Sequence, residues 1–208
     1  MNGIRVVLAD DQPLVRAGLR MILETETDIE IVGEAATGAE AVGICQQQQP
    51  DVVLMDVRMP EMDGIEATRR IVALGGPRVL LLSTFDLEEY LLEALHAGVS
   101  GITLKDTPPD ELATGILAVA HGDALVDAET TVRLIRGVTR VRPPTAAPAG
   151  LAGLSPSERE VLELVGGGST DAEIDGGGEV VAVVLAKLGV RDRIHAVLLA
   201  HEARVLGA

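Results

Sequence analysis

The stretch DVVLMDVRMPEMDGIEA, residues 51–67, decides the fold. Its first six residues, DVVLMD (51–56), form a short apolar run that is continuous rather than alternating. That pattern suits a strand covered on both faces. The run ends on Asp56, with Pro60 and Gly64 in the loop that follows. Four more runs of the same kind lie along the chain: IRVVLA (4–9), IEIVGE (29–34), RVLLLS (78–83) and GITLK (101–105).

Helical patterns separate these runs. PLVRAGLRMIL places Leu14, Ala17, Met21 and Ile22 on one stripe. DLEEYLLEALHAG opens with Asp86 and Glu89 at capping-box spacing and stops at Gly98. TPPDELATGILAVAHG has Thr107 as N-cap, Pro108 at the first helical position and Gly122 as stop. Strand followed by helix, repeated through residue 122, predicts an α/β, doubly wound parallel sheet with helices on both faces. A further helix is expected over 127–136, followed by the linker RPPTAAPAG (142–150), so that 123–150 joins the first domain to a small second one at 151–208.

Composition narrows the function. The chain has 208 residues, 47% of them hydrophobic, with a mean hydropathy of +0.30. No apolar run approaches the ~18 residues of a membrane span, and the N-terminus reaches acidic residues too soon for a secretory signal. The single cysteine, Cys45, excludes an intrachain disulfide framework, favours a cytoplasmic setting and sits in an apolar helical pattern, as a buried residue would. A net charge of −15 argues against a largely basic nucleic-acid binder. With Phe85 and Tyr90 as the only aromatic residues, base stacking on single strands is excluded as a main mode. Gln46 to Gln49 read as a solvated helix end, and His96, His121, His195 and His201 show no ligand spacing.

In open parallel sheets the working residues gather beyond the carboxyl ends of the strands. Asp10 and Asp11 follow the first run, Asp56 ends the third, Thr84 follows the fourth and Lys105 ends the fifth. Three crowded carboxylates repel unless a cation is shared, and a few hard oxygen ligands that leave room for water and phosphate suit Mg²⁺. A lysine and a hydroxyl complete a set fit for phosphoryl transfer onto an aspartate.

LADDQPLVRAG (8–18), DVVLMDVRMPEMDGIEA, LLLSTFD (80–86) and GITLKD (101–106) together resemble the receiver domain of two-component response regulators, over about residues 1–122. The resemblance implies a flavodoxin-like fold with Asp56 as phosphoacceptor. It implies Mg²⁺ held by Asp11, Asp56 and the backbone carbonyl of Arg58, with Asp10 acting through water. Thr84 would be the switch hydroxyl, Lys105 the phosphate partner and a sensor histidine kinase the phosphoryl donor. One departure is Ile102, where the family often has an aromatic switch residue. A metal-dependent phosphatase with an aspartyl nucleophile is the enzymatic alternative. It would require a second acid two residues after the nucleophile, where this chain has Arg58.

In the second domain, LSPSEREVLELV (154–165) begins with Ser155 as N-cap, Pro156 next and Glu158 completing a capping box. LAKLGVRDR (185–193) follows further on, with Gly189 as a helix stop. These two ends resemble the helix-turn-helix output domain of the NarL/FixJ (LuxR-type) family, which implies promoter DNA as partner, a homodimer, and Lys187, Arg191 and Arg193 as contacts. The middle departs from that pattern. Between Ile174 and Leu185 stand ten residues, DGGGEVVAVV, about eight fewer than the family pattern. Gly176, Gly177, Gly178, Glu179 and Val180 hold the positions of a common threonine-valine-lysine-x-histidine run. Interior glycines cost ~1 kcal/mol each relative to alanine, so the recognition helix is expected to be weak at its start. No Lys or Arg lies between Arg159 and Lys187, and residues 151–208 carry a net charge of −4.

Three readings of this segment stay open. DNA binding was lost and the domain signals through protein contacts; the glycines replace a native segment that binds DNA in the ordinary way; or a dimer binds weakly through Lys187, Arg191 and Arg193. Arg133, Arg136, Arg140 and Arg142 read as a solvated helix face before the linker.

Overall fold

The computed structural model describes residues 3–83, 93–122, 149–167, 169 and 173–202. Thr84, the start of the helix expected from Asp86, the helix expected over 127–136, the basic cluster Arg133 to Arg142 and most of the linker lie outside these residues. The chain divides into two compact units, Met1–Leu125 and Val126–Ala208.

The first unit is built on β1 (Ile4–Ala9), β2 (Ile29–Ala35), β3 (Val52–Asp56), β4 (Arg78–Ser83) and β5 (Gly101–Leu104). All four pairings are parallel and the strand order is β2-β1-β3-β4-β5. This is the flavodoxin-like arrangement, in which the order reverses beside β1 and opens a crevice between the carboxyl ends of β1 and β3. Every residue of β3 is buried, and Leu8, Leu54, Leu80 and Leu82 are all within 1% of full burial. Each such leucine contributes ~2 kcal/mol of transfer free energy. The runs of β1, β3 and β4 are therefore sandwiched strands, as expected from their pattern. By contrast β2, at the sheet edge, leaves Glu30 and Glu34 exposed and Ile31 to Gly33 half-buried.

Helices α1 (Pro13–Leu23), α2 (Gly38–Gln48), α3 (Gly64–Ala73) and α4 (described over 93–97) connect the strands, and α5 (Pro109–His121) follows β5. Asp63 caps α3 and Thr37 caps α2, each accepting from the backbone N–H three residues on. Gly98 and Gly122 end their helices at φ +98°, a left-handed conformation that suits glycine. Cys45 is buried in α2, where desolvation pushes its thiol up to about 12. Gln46 to Gln49 are exposed at the end of that helix, where the Arg5 guanidinium donates to the Gln48 and Gln49 carbonyls.

Two local expectations need correction. Of the stripe Leu14, Ala17, Met21 and Ile22, only Ile22 packs on the core: Leu14 is 85% and Met21 69% exposed, while Leu19 and Leu23 are buried with Val15 and Ile22 packed beside them. Two apolar stripes compete on this helix, and the sheet selects the one spaced by four. The N-cap of α5 is Pro108, one residue later than expected, because the Thr107 hydroxyl bonds the Thr103 hydroxyl at 2.8 Å.

The second unit comprises a 3₁₀ turn (Ala149–Gly153) and helices α6 (Pro156–Gly166), α7 (Gly177–Leu188) and α8 (Arg193–Glu202). The capping box of Ser155 and Glu158 is formed in both directions. The core includes Leu154, Leu162, Val165, Ile174, Val181, Val184, Val197 and Ala200.

The three glycines stand at the entry of a helix, where the sequence places them, and not in a helix interior, for which their cost was reckoned. Gly176 is the N-cap of α7, and Gly177 and Gly178 are its first two residues, after which the helix runs to Leu188 and stops at Gly189. Gly176 at φ +87° and Gly177 at φ +58° make a turn that L side chains resist. A Cβ on Gly176 would also lie 2.3 Å from Val180 Cγ2. Gly176→Ala is expected to cost the second unit about 2 kcal/mol, from the left-handed backbone and displacement of Val180. Urea denaturation followed by helical circular dichroism reads this, and an unchanged midpoint would refute it.

Candidate functional site

The parallel sheet delivers side chains to one edge because each strand runs toward it. Asp10 follows β1, Asp56 ends β3 and Lys105 follows β5. Backbone bonds align the strand ends: Asp10 N–H donates to Ala35 O, Val57 N–H to Leu82 O and Lys105 N–H to Ser83 O. Four of the five expected positions, Asp10, Asp11, Asp56 and Lys105, meet here. Thr84 is outside the described residues.

Carboxylate oxygens of Asp10, Asp11 and Asp56 lie within 4.8 Å of one another. Asp10 and Asp56 are buried, whereas Asp11 is exposed at the mouth. Lys105 Nζ reaches between the buried pair, 2.6 Å from Asp10 Oδ2 and 3.1 Å from Asp56 Oδ2. Asp10 Oδ1 accepts from the Gln12 N–H at 2.9 Å. The Asp56 carboxylate accepts from the backbone of Arg58, whose own side chain is exposed.

Burial raises the Asp56 carboxyl above its ordinary value and the Asp10 charge adds to this; the hydrogen bond and charge of Lys105 oppose it. Burial pulls on Lys105 in the opposite sense, but the hydrogen bonds it donates to Asp10 and Asp56 outweigh it and hold the ammonium above its usual value. Three carboxylates facing one lysine leave an excess of negative charge. Hard oxygen donors, close-set and partly open to solvent, fit Mg²⁺ in kind and number.

The loop after β3 is held by close backbone approaches. Gly64 N–H donates to Val57 O at 2.9 Å, and a Cβ on Gly64 would lie 2.0 Å from the Asp56 carbonyl oxygen. Gly38 N–H donates to Met62 O across the neighbouring loop.

Sequence reasoning missed Arg16. Its Nη1 donates to the Asp10 carbonyl at 2.6 Å and its Nε to Glu34 Oε2 at 3.3 Å. A signal was present: Arg16 stands one turn into α1, where the helix dipole disfavours a cation and no acidic residue of that turn compensates.

The second unit does not assemble a free basic face from the three expected residues. Lys187 Nζ is 2.7 and 2.9 Å from the two Glu158 oxygens, which tie α7 to the start of α6. Arg191 and Arg193 are half-buried and engaged within the protein. Asp192, fully buried, bonds both the backbone N–H and the ring of His195 at the start of α8. His195 therefore has a structural role. The outer side of α7 carries Glu179, Ala182, Val183, Ala186 and the ion-paired Lys187, with Val183 50% exposed.

Sheet order and acidic edge together define a flavodoxin-like α/β protein with a metal-suited aspartate pocket, joined to a small all-α unit. Residues 6–117 match the response regulator receiver domain. The transcriptional regulatory protein YxjL of Bacillus subtilis is 41% identical over 83% of this chain and 80% of its own length. The transcriptional regulatory protein LiaR of the same species is 34% identical over 95% and 97%. The response regulator ChrA of a heme-sensing two-component system superposes with a TM-score of 0.56 at 33% identity, covering 99% of this chain and all of that one. A LuxR-family response regulator from Aurantimonas gives a TM-score of 0.60 at 33% identity over 68% of this chain. The chain belongs to the two-component response regulators, of the NarL/FixJ type.

Proposed function

We propose that this protein takes a phosphoryl group on Asp56 from a sensor histidine kinase and controls transcription through its C-terminal domain. The observation that carries the reading is the convergence of Asp10, Asp11, Asp56 and Lys105 on one edge of the sheet. An Asp56 oxygen attacks phosphorus as the phosphohistidine N–P bond breaks, so the chain gains an acyl phosphate and the kinase imidazole leaves. Lys105 stays protonated beside Asp56 and offers its charge to a phosphoryl oxygen. Asp11, Asp56 and the Arg58 carbonyl would hold Mg²⁺, with Asp10 through water; when bound, the ion neutralises phosphoryl oxygens.

Thr84, the residue that follows RVLLLS in the sequence, would reorient toward the phosphoryl group and change dimer or interdomain contacts. Ile102 is 8% exposed on β5, so signalling through an aromatic rotamer is not available at that position. The cytoplasm is the proposed setting, and among the described residues no helix is long and apolar enough to cross a membrane. Names of the relatives favour promoter DNA as the target over an output by protein contacts alone. They equally favour a regulator over a phosphatase.

The test is phosphorylation by acetyl phosphate in Mg²⁺, with the acyl phosphate mapped by reductive cleavage and mass spectrometry. The label is expected on Asp56, and a label elsewhere sinks the reading. Promoter binding is then followed against salt with and without phosphorylation. Three candidate cations per subunit limit the slope of log K on log salt to about 3 per subunit. Absence of salt-dependent binding in both states removes the DNA output. Sustained turnover of a small phosphoester would instead make the protein a phosphatase.

A further inference from the structure

Asp10 is held at every polar atom it has. Its N–H donates to Ala35 O at 3.1 Å, Oδ1 accepts from Gln12 N–H and Oδ2 accepts from Lys105. The remaining group, its carbonyl, accepts the 2.6 Å bond from Arg16 Nη1. Arg16 is in turn fixed by Glu34, which also takes Arg20 Nε at 2.5 Å. The two arginines use different oxygens of Glu34, Oε2 for Arg16 and Oε1 for Arg20, so the carboxylate on β2 anchors Arg16 independently of Arg20.

We propose that Arg16 is a positioning residue for the acidic loop, fixing the Asp10 peptide so that Asp10 and Asp11 present their carboxylates to one cation. This rests on the reading of the pocket as a Mg²⁺ site. The bond reaches the peptide that joins Asp10 to Asp11, so its orientation sets the directions of both side chains. A guanidinium can span the carbonyl and Glu34 at once because its N–H groups form a rigid fork; an ammonium or a neutral side chain cannot keep that geometry. The Arg16 side chain is 16% exposed, so water does not readily replace it. Arg16 touches no candidate metal-binding oxygen and acts only through the loop.

The experiment is calorimetric titration of the full chain with MgCl₂, alongside thermal melting, for wild type, Arg16→Met, Arg16→Lys and Arg20→Met. Supporting partners of metal ligands typically contribute ~10-fold or more to affinity. Arg16→Met is expected to raise the Kd for Mg²⁺ about tenfold, with Arg16→Lys between it and wild type. Arg20→Met breaks the neighbouring pair with Glu34 without touching Asp10. It is expected to lower Tm while leaving Kd within about twofold. If Arg16→Met and Arg16→Lys bind Mg²⁺ as wild type does, the proposal is overturned. It is equally overturned if Arg20→Met weakens Mg²⁺ as much, since the effect would then be general loosening of α1. Failure of the wild type itself to bind Mg²⁺ overturns the metal reading beneath it.

Discussion

Gly64→Ala is expected to destabilise the first unit by about 3 kcal/mol and to suppress phosphoryl uptake at temperatures where the variant is still folded. The added Cβ would stand 2.0 Å from the carbonyl oxygen of Asp56 and 3.0 Å from its carbon. No rotamer relieves this, because both partners are backbone. Either Asp56 moves off the end of β3 or α3 backs away and loses the 2.9 Å bond from Gly64 N–H to Val57 O. The first response turns the proposed nucleophile; the second unpicks the loop carrying Arg58. Gly18→Ala is the control, since a Cβ there meets nothing within 4 Å and the residue lies inside α1. Alanine in a helix interior favours the fold by about 1 kcal/mol over glycine. Urea denaturation of the two variants is expected to move in opposite directions. A Gly64→Ala midpoint equal to that of wild type would show that the loop accommodates the methyl group.

The residues that meet at the strand ends were legible because parallel topology turns sequence order into position. Once DVVLMD is a buried strand, its last residue must face the same edge as those following IRVVLA and GITL. Helix stops at Gly98, Gly122 and Gly189 were legible for a local reason: left-handed φ is costly for other residues. Choices between near-equal partners were harder to read. On α1, Leu14 and Met21 are as apolar as Leu19 and Leu23, and only the shape of the sheet decides which pair is buried. The partner of Arg16 was hard to read because it is a carbonyl, which no side-chain pattern announces. A cation in the first turn of α1 with no acidic neighbour in that turn was nonetheless a signal that it had one. The glycines of α7 were placed correctly at its start, but their cost was reckoned for a helix interior, whereas at the entry they make the turn. Their chemical consequence was legible: the start of α7 offers no side-chain donor, and its basic residue, Lys187, stands only in the last turn.

Lys105→Met is expected to destabilise the metal-free protein by about 3 kcal/mol at neutral pH and to recover part of that loss in saturating Mg²⁺. The methionine preserves most of the apolar stem, so the change isolates the charge. Nζ is the cation between Asp10 Oδ2 and Asp56 Oδ2, and the side chains of Lys105, Asp10 and Asp56 are 12%, 0% and 8% exposed. Without it, two buried carboxylates face each other and Asp11 with no compensating charge. The pH dependence has a definite sign. Asp56 already has a folded value above its unfolded one, chiefly through burial. Its native form therefore binds a proton more readily than the unfolded chain, and stability falls as pH rises through the folded value. Removing Lys105 deletes the influence that opposes this rise, so the gap widens. The deficit of Lys105→Met is therefore expected to shrink as the pH falls through the carboxylate range and Asp56 takes up its proton. In wild type the raised Lys105 value contributes stability below the ordinary lysine range that is lost only as pH rises through its folded value. Thermal melts of both proteins from neutral to acid pH, with and without Mg²⁺, separate these contributions. A deficit independent of pH would mean that Lys105 acts by packing, and the electrostatic account of the pocket would fail with it.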